Sequence, residues 1–153
     1  MAIKPRERVL AALAGRPVDR PPVSNPASVA TVELMDLAAA PFPAACRDLN
    51  LAAELSATGH TELGFDSVMP YFSIVQESSA LGCEVQWETK DNWPTVSMTR
   101  PLWRGPDDIE IPPGFLEHPD CSAVPRSIEI LRSGFGDEVA IVGKVVGLWT
   151  LAY

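Results

Sequence analysis

Three polar residues, Asn25, Tyr71 and Glu77, stand where extended apolar segments give way to helix-like ones. In α/β proteins the carboxyl ends of parallel strands face the ligand site, so an amide, a phenol and a carboxylate at such exits can bind and orient a polar substrate. Each also has a plainer role, Asn25 as a cap on the following helix, Tyr71 as packing beneath it and Glu77 as a solvated charge. In His118-Pro119-Asp120-Cys121 a histidine and a cysteine are three positions apart, a spacing that can hold a metal from a turn. Catalytic zinc takes about three protein ligands, no third stands nearby, and the surrounding prolines mark a loop corner. His60 falls inside a helical pattern as a packed or solvent-edge residue. Cys83 follows a turn glycine in apolar surroundings and reads as a buried, inert thiol. Trp87, Trp93 and Trp103 read as hairpin packing, with an aromatic rim as the alternative.

The elements that would position these groups follow from local pattern. Pro5 to Ala14 predicts an opening helix, with proline near its start and Gly15 as terminator. Arg16 to Val23 runs extended because each proline disfavours helix at the residue before it. Val23–Pro26 is a candidate first strand, followed by a helix over Ser28–Leu37. Asp48 caps a third helix carrying Leu51, Leu55 and Leu63, with Gly64 beyond it. Phe65 opens a strand with Val68, Met69, Tyr71 and Phe72 buried, leading through a helix-like segment to Gly82, where the chain reverses. Val85–Glu88 and Thr95–Met98 alternate as a hairpin. Arg100 to Pro119 is a proline-rich surface excursion, and Ala123–Arg132 a helix closed by Gly134. Glu138–Val145 is nearly continuous in apolar residues, as a strand covered on both faces should be. Gly147 to Tyr153 begins a further turn into helix. The order is α/β, with about three parallel strands and a hairpin excursion, too few to close a barrel.

The 153 residues match one domain and can bury a core. A net charge of −8 argues against nucleic-acid or anionic-membrane partners, which demand clustered basic surface. No apolar run is long enough to cross a bilayer, and the amino terminus lacks the apolar region of a secretory signal, so a cytoplasmic location is expected. Three widely spaced cysteines fit reduced thiols rather than a disulfide framework.

Four stretches, in order, resemble the amino-terminal half of the uroporphyrinogen decarboxylase superfamily: Lys4–Leu13, Val18–Val23, Phe65–Val85 with its Ala80-Leu81-Gly82-Cys83-Glu84 ending, and Gly147–Ala152. The resemblance implies a partial (β/α)8 barrel over residues 1–153, with 1–22 a helical cap and lead-in and 23–153 the first three strand-helix units, the chain ending near the third barrel strand. Its decarboxylase branch uses an arginine-rich motif after the first strand, where this sequence has Ser24-Asn25-Pro26-Ala27-Ser28 and no arginine until Arg47. That branch also places a catalytic aspartate where Ser73 stands, and serine cannot supply a carboxylate to steady a cation. The chain is more similar to the methylcobalamin:coenzyme M methyltransferase branch, notably at Val29–Met35. That resemblance implies transfer of a methyl group from a methylated corrinoid protein to a thiol such as coenzyme M, with tetrapyrrole decarboxylation and a non-catalytic binding half as alternatives. It further implies zinc and a methylcorrinoid in the complete enzyme. The family's His-x-Cys zinc motif is absent from these residues, so the chain is expected to be inactive alone, as a truncated or split amino-terminal half, the split alternative pairing it with a separately encoded carboxy-terminal half. Asn25, Tyr71 and Glu77 would then line the mouth.

Overall fold

The computed structural model describes residues 3–152, which form seven α-helices, two short sheets and one 3-10 turn. Helix α1 (Pro5–Leu13) starts with proline at its first position and is followed by Gly15 at φ 67°. The chain then runs extended to Asn25. The strand expected at Val23–Pro26 is tied to its neighbour by a backbone bond from Asp66 N to Val23 O at 2.7 Å. Pro21, Pro22 and Pro26 have no N–H to continue the ladder, so the segment is extended without becoming a strand.

Helix α2 (Val32–Leu37) begins later than expected, because Thr31 Oγ1 accepts from Leu34 N and caps it there. Helix α3 (Ala44–Arg47) leads into α4 (Leu49–Thr61), whose Asp48 cap accepts from Asn50 N and Leu51 N at 2.8 and 3.0 Å. Leu63 lies past the end of α4 and is exposed. Within α4, Gly59 permits close approach, since a Cβ there would meet Val29 Cγ1 at 3.1 Å.

Strand β1 (Ser67–Val68) pairs in parallel with β4 (Ala140–Ile141), in the register Ser67 to Ala140 and Val68 to Ile141. This is the single parallel pair among the described residues, fewer than the three strands expected. Helix α5 (Gln76–Leu81) ends on Gly82 at φ 105°, a left-handed conformation that glycine adopts without strain. Strands β2 (Val85–Gln86) and β3 (Thr95–Val96) form the expected antiparallel hairpin. The excursion that follows is irregular apart from a 3-10 turn at Pro106–Asp108.

Helix α6 (Pro119–Phe135) is longer than expected at both ends. Proline at its first position lacks an N–H that would be unpaired there anyway, and Pro125 is accommodated inside the helix. The helix continues through Gly134 to bring Leu131 and Phe135 onto Val68 and Val139. Two further clusters complete the interior. One gathers Leu34, Met35, Phe42, Leu55 and Phe72, and the other joins Met69, Tyr71 and Val124 with Ile128 and Val142. Helix α7 (Leu148–Ala152) packs no buried side chain, and Leu148 and Trp149 are 85% and 86% exposed. It realises the turn into helix expected from Gly147, except at Tyr153, which lies outside the described residues. No helix among the described residues is long and apolar enough to cross a membrane.

Candidate functional site at the carboxyl end of the parallel pair

The exit of β1 carries Tyr71, and the first turn of α5 carries Glu77. Tyr71 is 2% exposed, and its hydroxyl donates to Glu77 Oε2 at 2.6 Å. Burial pushes the Tyr71 phenol well above its ordinary pKa, and the Glu77 carboxylate adds to the effect by accepting the proton's hydrogen bond. The phenol therefore stays protonated and acts as a donor. The other carboxylate oxygen, Glu77 Oε1, accepts from Val146 N at 3.1 Å. Glu77 thus ties the segment leaving β1 to the segment leaving β4.

Asn25 does not cap α2. Its Oδ1 accepts from Ala27 N and Ser28 N at 3.0 and 3.3 Å, and its Nδ2 donates to Ser28 O at 2.5 Å, closing a turn before the helix. That turn presents the Ala27 carbonyl to Lys144, whose Nζ donates to it at 3.4 Å. The Lys144 ammonium also lies 5.1 Å from the centroid of the Tyr71 ring, within cation–π range. The three residues expected from sequence are therefore joined through one that was not, Lys144. A lysine interrupting the apolar run from Val139 to Val146 was the available signal.

The remaining candidates have structural partners. Ser73 is buried, and its Oγ accepts from Val75 N at 3.2 Å, so the position holds a local turn and no carboxylate. His118 caps α6 through Nδ1, which accepts from Asp120 N at 3.3 Å. Asp120 is fully buried and accepts from Arg47 Nε at 2.6 Å and Ser79 Oγ at 2.5 Å. Burial raises the Cys121 thiol pKa, with the nearby Glu77 and Glu117 carboxylates adding to it. Cys83 is half-buried rather than buried, and burial again raises its thiol. His60 Nδ1 lies 2.9 Å from Phe65 O; a carbonyl can only accept, so Nδ1 carries the proton. Trp87 lies under the Arg47 guanidinium, and Trp93 packs edge-on against Phe42. Among the described residues no group of three or more His, Cys, Asp or Glu is arranged to hold a metal ion.

Two surface depressions, about 190 Å³ between α2 and the hairpin turn and about 500 Å³ beside the end of α6, are lined by other residues. The candidate site is defined by its converging polar groups, beside the exposed Val145.

At the opposite, amino end of β1 lies an ion cluster that sequence pattern does not reveal. Asp66, 0% exposed, accepts from Arg8 Nη1 at 2.6 Å, Arg20 Nη1 at 2.7 Å, Arg20 Nη2 at 3.0 Å and Val23 N at 2.7 Å. Arg8 also donates from Nε to Asp19 at 2.6 Å. Burial alone would raise the Asp66 carboxyl pKa, but the hydrogen bonds from Arg20, Val23 and Arg8 outweigh it and hold the carboxyl below its ordinary value. In strand-helix barrels this end serves stability and the other serves chemistry.

Residues 4–153 match the family model described as Uroporphyrinogen decarboxylase (URO-D), and the chain belongs to that family. Within it, the similarity is to methyltransferases. The chain is 33% identical over 147 residues to the methylcobamide:CoM methyltransferase MtaA of Methanosarcina barkeri, covering 96% of this chain and 43% of the relative. It is 31% identical over 148 residues to a methylated-thiol–coenzyme M methyltransferase of Methanosarcina mazei, covering 97% of this chain and 40% of that one. A solved methyltransferase from Methanosarcina mazei superposes with a TM-score of 0.87 at 32% identity, over 97% of this chain and 44% of that chain. The chain spans less than half the length of these relatives.

Proposed function

We propose that this chain supplies the amino-terminal part of a (β/α)8 barrel, residues 1–22 capping it and 23–153 contributing its first strand-helix units. The whole barrel moves a methyl group from a methylated corrinoid protein to a thiol such as coenzyme M. The observation that carries the reading is the 33% identity to a methylcobamide:CoM methyltransferase across 96% of the chain. The exposed apolar surface at Val145, Leu148 and Trp149 supports completion by further structure. In this reading Asn25, Tyr71 and Glu77 line the mouth over which the corrinoid protein docks. The Tyr71 hydroxyl and the Glu77 carboxylate fix the rim by holding each other and the Val146 amide.

Zinc is implied by the resemblance, but the residues here do not fit it. The sequence has no His-x-Cys pair, and the described residues gather no three-ligand group. In this reading zinc, the thiol it would bind and the transfer step lie with the rest of the barrel. A tetrapyrrole decarboxylase is disfavoured by Ser73, which is buried in a turn where that chemistry needs a carboxylate.

Co-expression with the carboxy-terminal part of a methylcobamide:CoM methyltransferase tests the proposal. The chain alone should transfer no methyl from methylcobalamin to coenzyme M and retain no stoichiometric zinc, whereas the co-purified pair should do both. Turnover with bound zinc by the chain alone, or an inactive pair that nonetheless co-purifies with zinc, would overturn it.

A further inference from the structure

The cavity of about 190 Å³ between the start of α2 and the tip of the β2–β3 hairpin has a buried apolar floor, formed by Met35 and Phe42. Met35 Sδ accepts from Phe42 N at 3.3 Å, which fixes the two against each other. Val32 lines the cavity from the α2 side and Trp93 from the hairpin side. The Trp93 ring meets Phe42 edge-on, with centroids 5.3 Å apart and planes at 72°, and Phe42 lies 6.2 Å from Phe72 in the core. An aromatic series therefore runs from solvent into the interior. Its outer member, Trp93, is 51% exposed, which leaves apolar area at the cavity wall for a ligand to cover.

The hairpin tip is fastened over this floor. Lys90 pairs with Asp36 of α2, and Asn92 N donates to Thr89 O at 3.2 Å, closing the turn. Among the described residues the two non-glycine residues at positive φ are Ala39 at 50° and Glu88 at 55°. One follows each of the two elements that bound the cavity, α2 and β2. Left-handed backbone costs energy for a residue with a Cβ, persists only where its surroundings enforce it, and gathers at ligand clamps.

The volume sets the size of the occupant. An apolar cavity of about 150 Å³ takes up benzene, so this one holds a single six-membered ring with a small substituent. The lining favours an aromatic ring, because Trp93 and Phe42 offer offset or edge-on stacking and the Met35 sulfur a thioether–aromatic contact. The rim favours a neutral polar substituent. Thr31 Oγ1 accepts from Leu34 N, which leaves its hydroxyl proton to donate. The Lys90 charge is answered by Asp36, and Asp91 adds a carboxylate to the same rim, so an anionic ring gains no free cation. We propose that this cavity binds an uncharged single-ring aromatic ligand carrying a hydroxyl or carbonyl oxygen, stacked on Trp93. Asn25, Tyr71 and Glu77 take no part in its lining.

The test is an NMR titration of the purified chain with benzyl alcohol, with its aliphatic counterpart cyclohexylmethanol and with benzoate, followed through the Trp93 indole N–H and the Met35 methyl group. Saturable shifts at both are expected with benzyl alcohol, and binding of the other two should be weaker by at least about threefold. Read through the Met35 methyl, Trp93→Ala should weaken benzyl alcohol binding at least about tenfold. Trp93→Phe, which keeps a ring, should retain most of the affinity, and Trp149→Ala, outside the cavity, all of it. Trp93→Phe separates loss of the stacking face from loss of the fold, and an unchanged far-UV spectrum checks Trp93→Ala. Equal affinity for benzyl alcohol and either comparator, unchanged binding by Trp93→Ala, or no saturable response at Trp93 and Met35 in wild type would overturn the inference. None of these outcomes involves methyl transfer, so failure here leaves the proposed activity standing.

Discussion

Substituting Asp66 by asparagine keeps the size of the side chain and removes its charge from the centre of the cluster at the amino end of β1. The Asp66 carboxylate is fully buried and accepts four hydrogen bonds, three of them from guanidinium groups. Breaking a buried ion pair by altering one partner costs about 3–5 kcal/mol. The lower end applies, because Arg8 keeps Asp19 and Arg20 is half in solvent. Asparagine also turns an N–H toward groups that only donate. We expect Asp66→Asn to lose about 3 kcal/mol, read as a lowered urea midpoint with unchanged slope. For a chain of this size that is a fall of about 6–12 °C in melting temperature. The deficit should depend on pH in a stated direction. The folded carboxyl is held below its ordinary value, so its contribution is fully present above the unfolded value of about 4 and is lost as pH falls through the folded one. The gap between wild type and Asp66→Asn should be constant from about pH 5.5 to 8 and shrink below about pH 4 as wild type protonates. A loss under about 0.5 kcal/mol, or a deficit that stays whole at about pH 3 while the fold persists, would refute the reasoning.

Asp120→Ala should cost about 2 kcal/mol by removing the charged acceptor of Ser79 and of the half-exposed Arg47, whereas Ser79→Ala should cost about 1 kcal/mol; equal urea midpoints would contradict this. Burial, with Asp120 adding, pushes the Cys46 thiol up to about 12, so iodoacetamide at about pH 8 should modify the half-buried Cys83 and Cys121 before Cys46, as peptide mass spectrometry would read. The purified chain should self-associate through Val145, Leu148 and Trp149; Leu148→Ser with Trp149→Ser should reduce the concentration dependence seen in sedimentation.

Local signals carried much of the fold. Pro5 starting α1, Asp48 capping α4, Gly82 reversing the chain in a left-handed conformation and the β2–β3 alternation all appear where their residues indicate. The two apolar runs expected as strands contain the two strands that pair in parallel. Where competing local bonds decide, pattern was insufficient. Helical spacing begins at Ser28, but Ser28 Oγ accepts from Ala30 N and Thr31 Oγ1 accepts from Leu34 N, which holds the segment in a turn and delays α2 to Val32. Pro119 read as loop and opened a helix instead. The Asp66 cluster joins residues up to 58 positions apart, and Lys144 reaches a carbonyl 117 positions away. No periodicity within a window encodes such pairings.

Strand β1 separates two kinds of polar chemistry along one short length of chain. Asp66 precedes it and Tyr71 follows, five positions on. Arg8 and Arg20 answer the Asp66 charge on the spot, while Tyr71 and the Val146 amide hold Glu77 at the other end, so the two ends rest on separate partners. Substitutions that strengthen the Asp66 end are open to an engineer as a way to stabilise the chain while leaving the Tyr71, Glu77 and Val146 contacts at the other end in place.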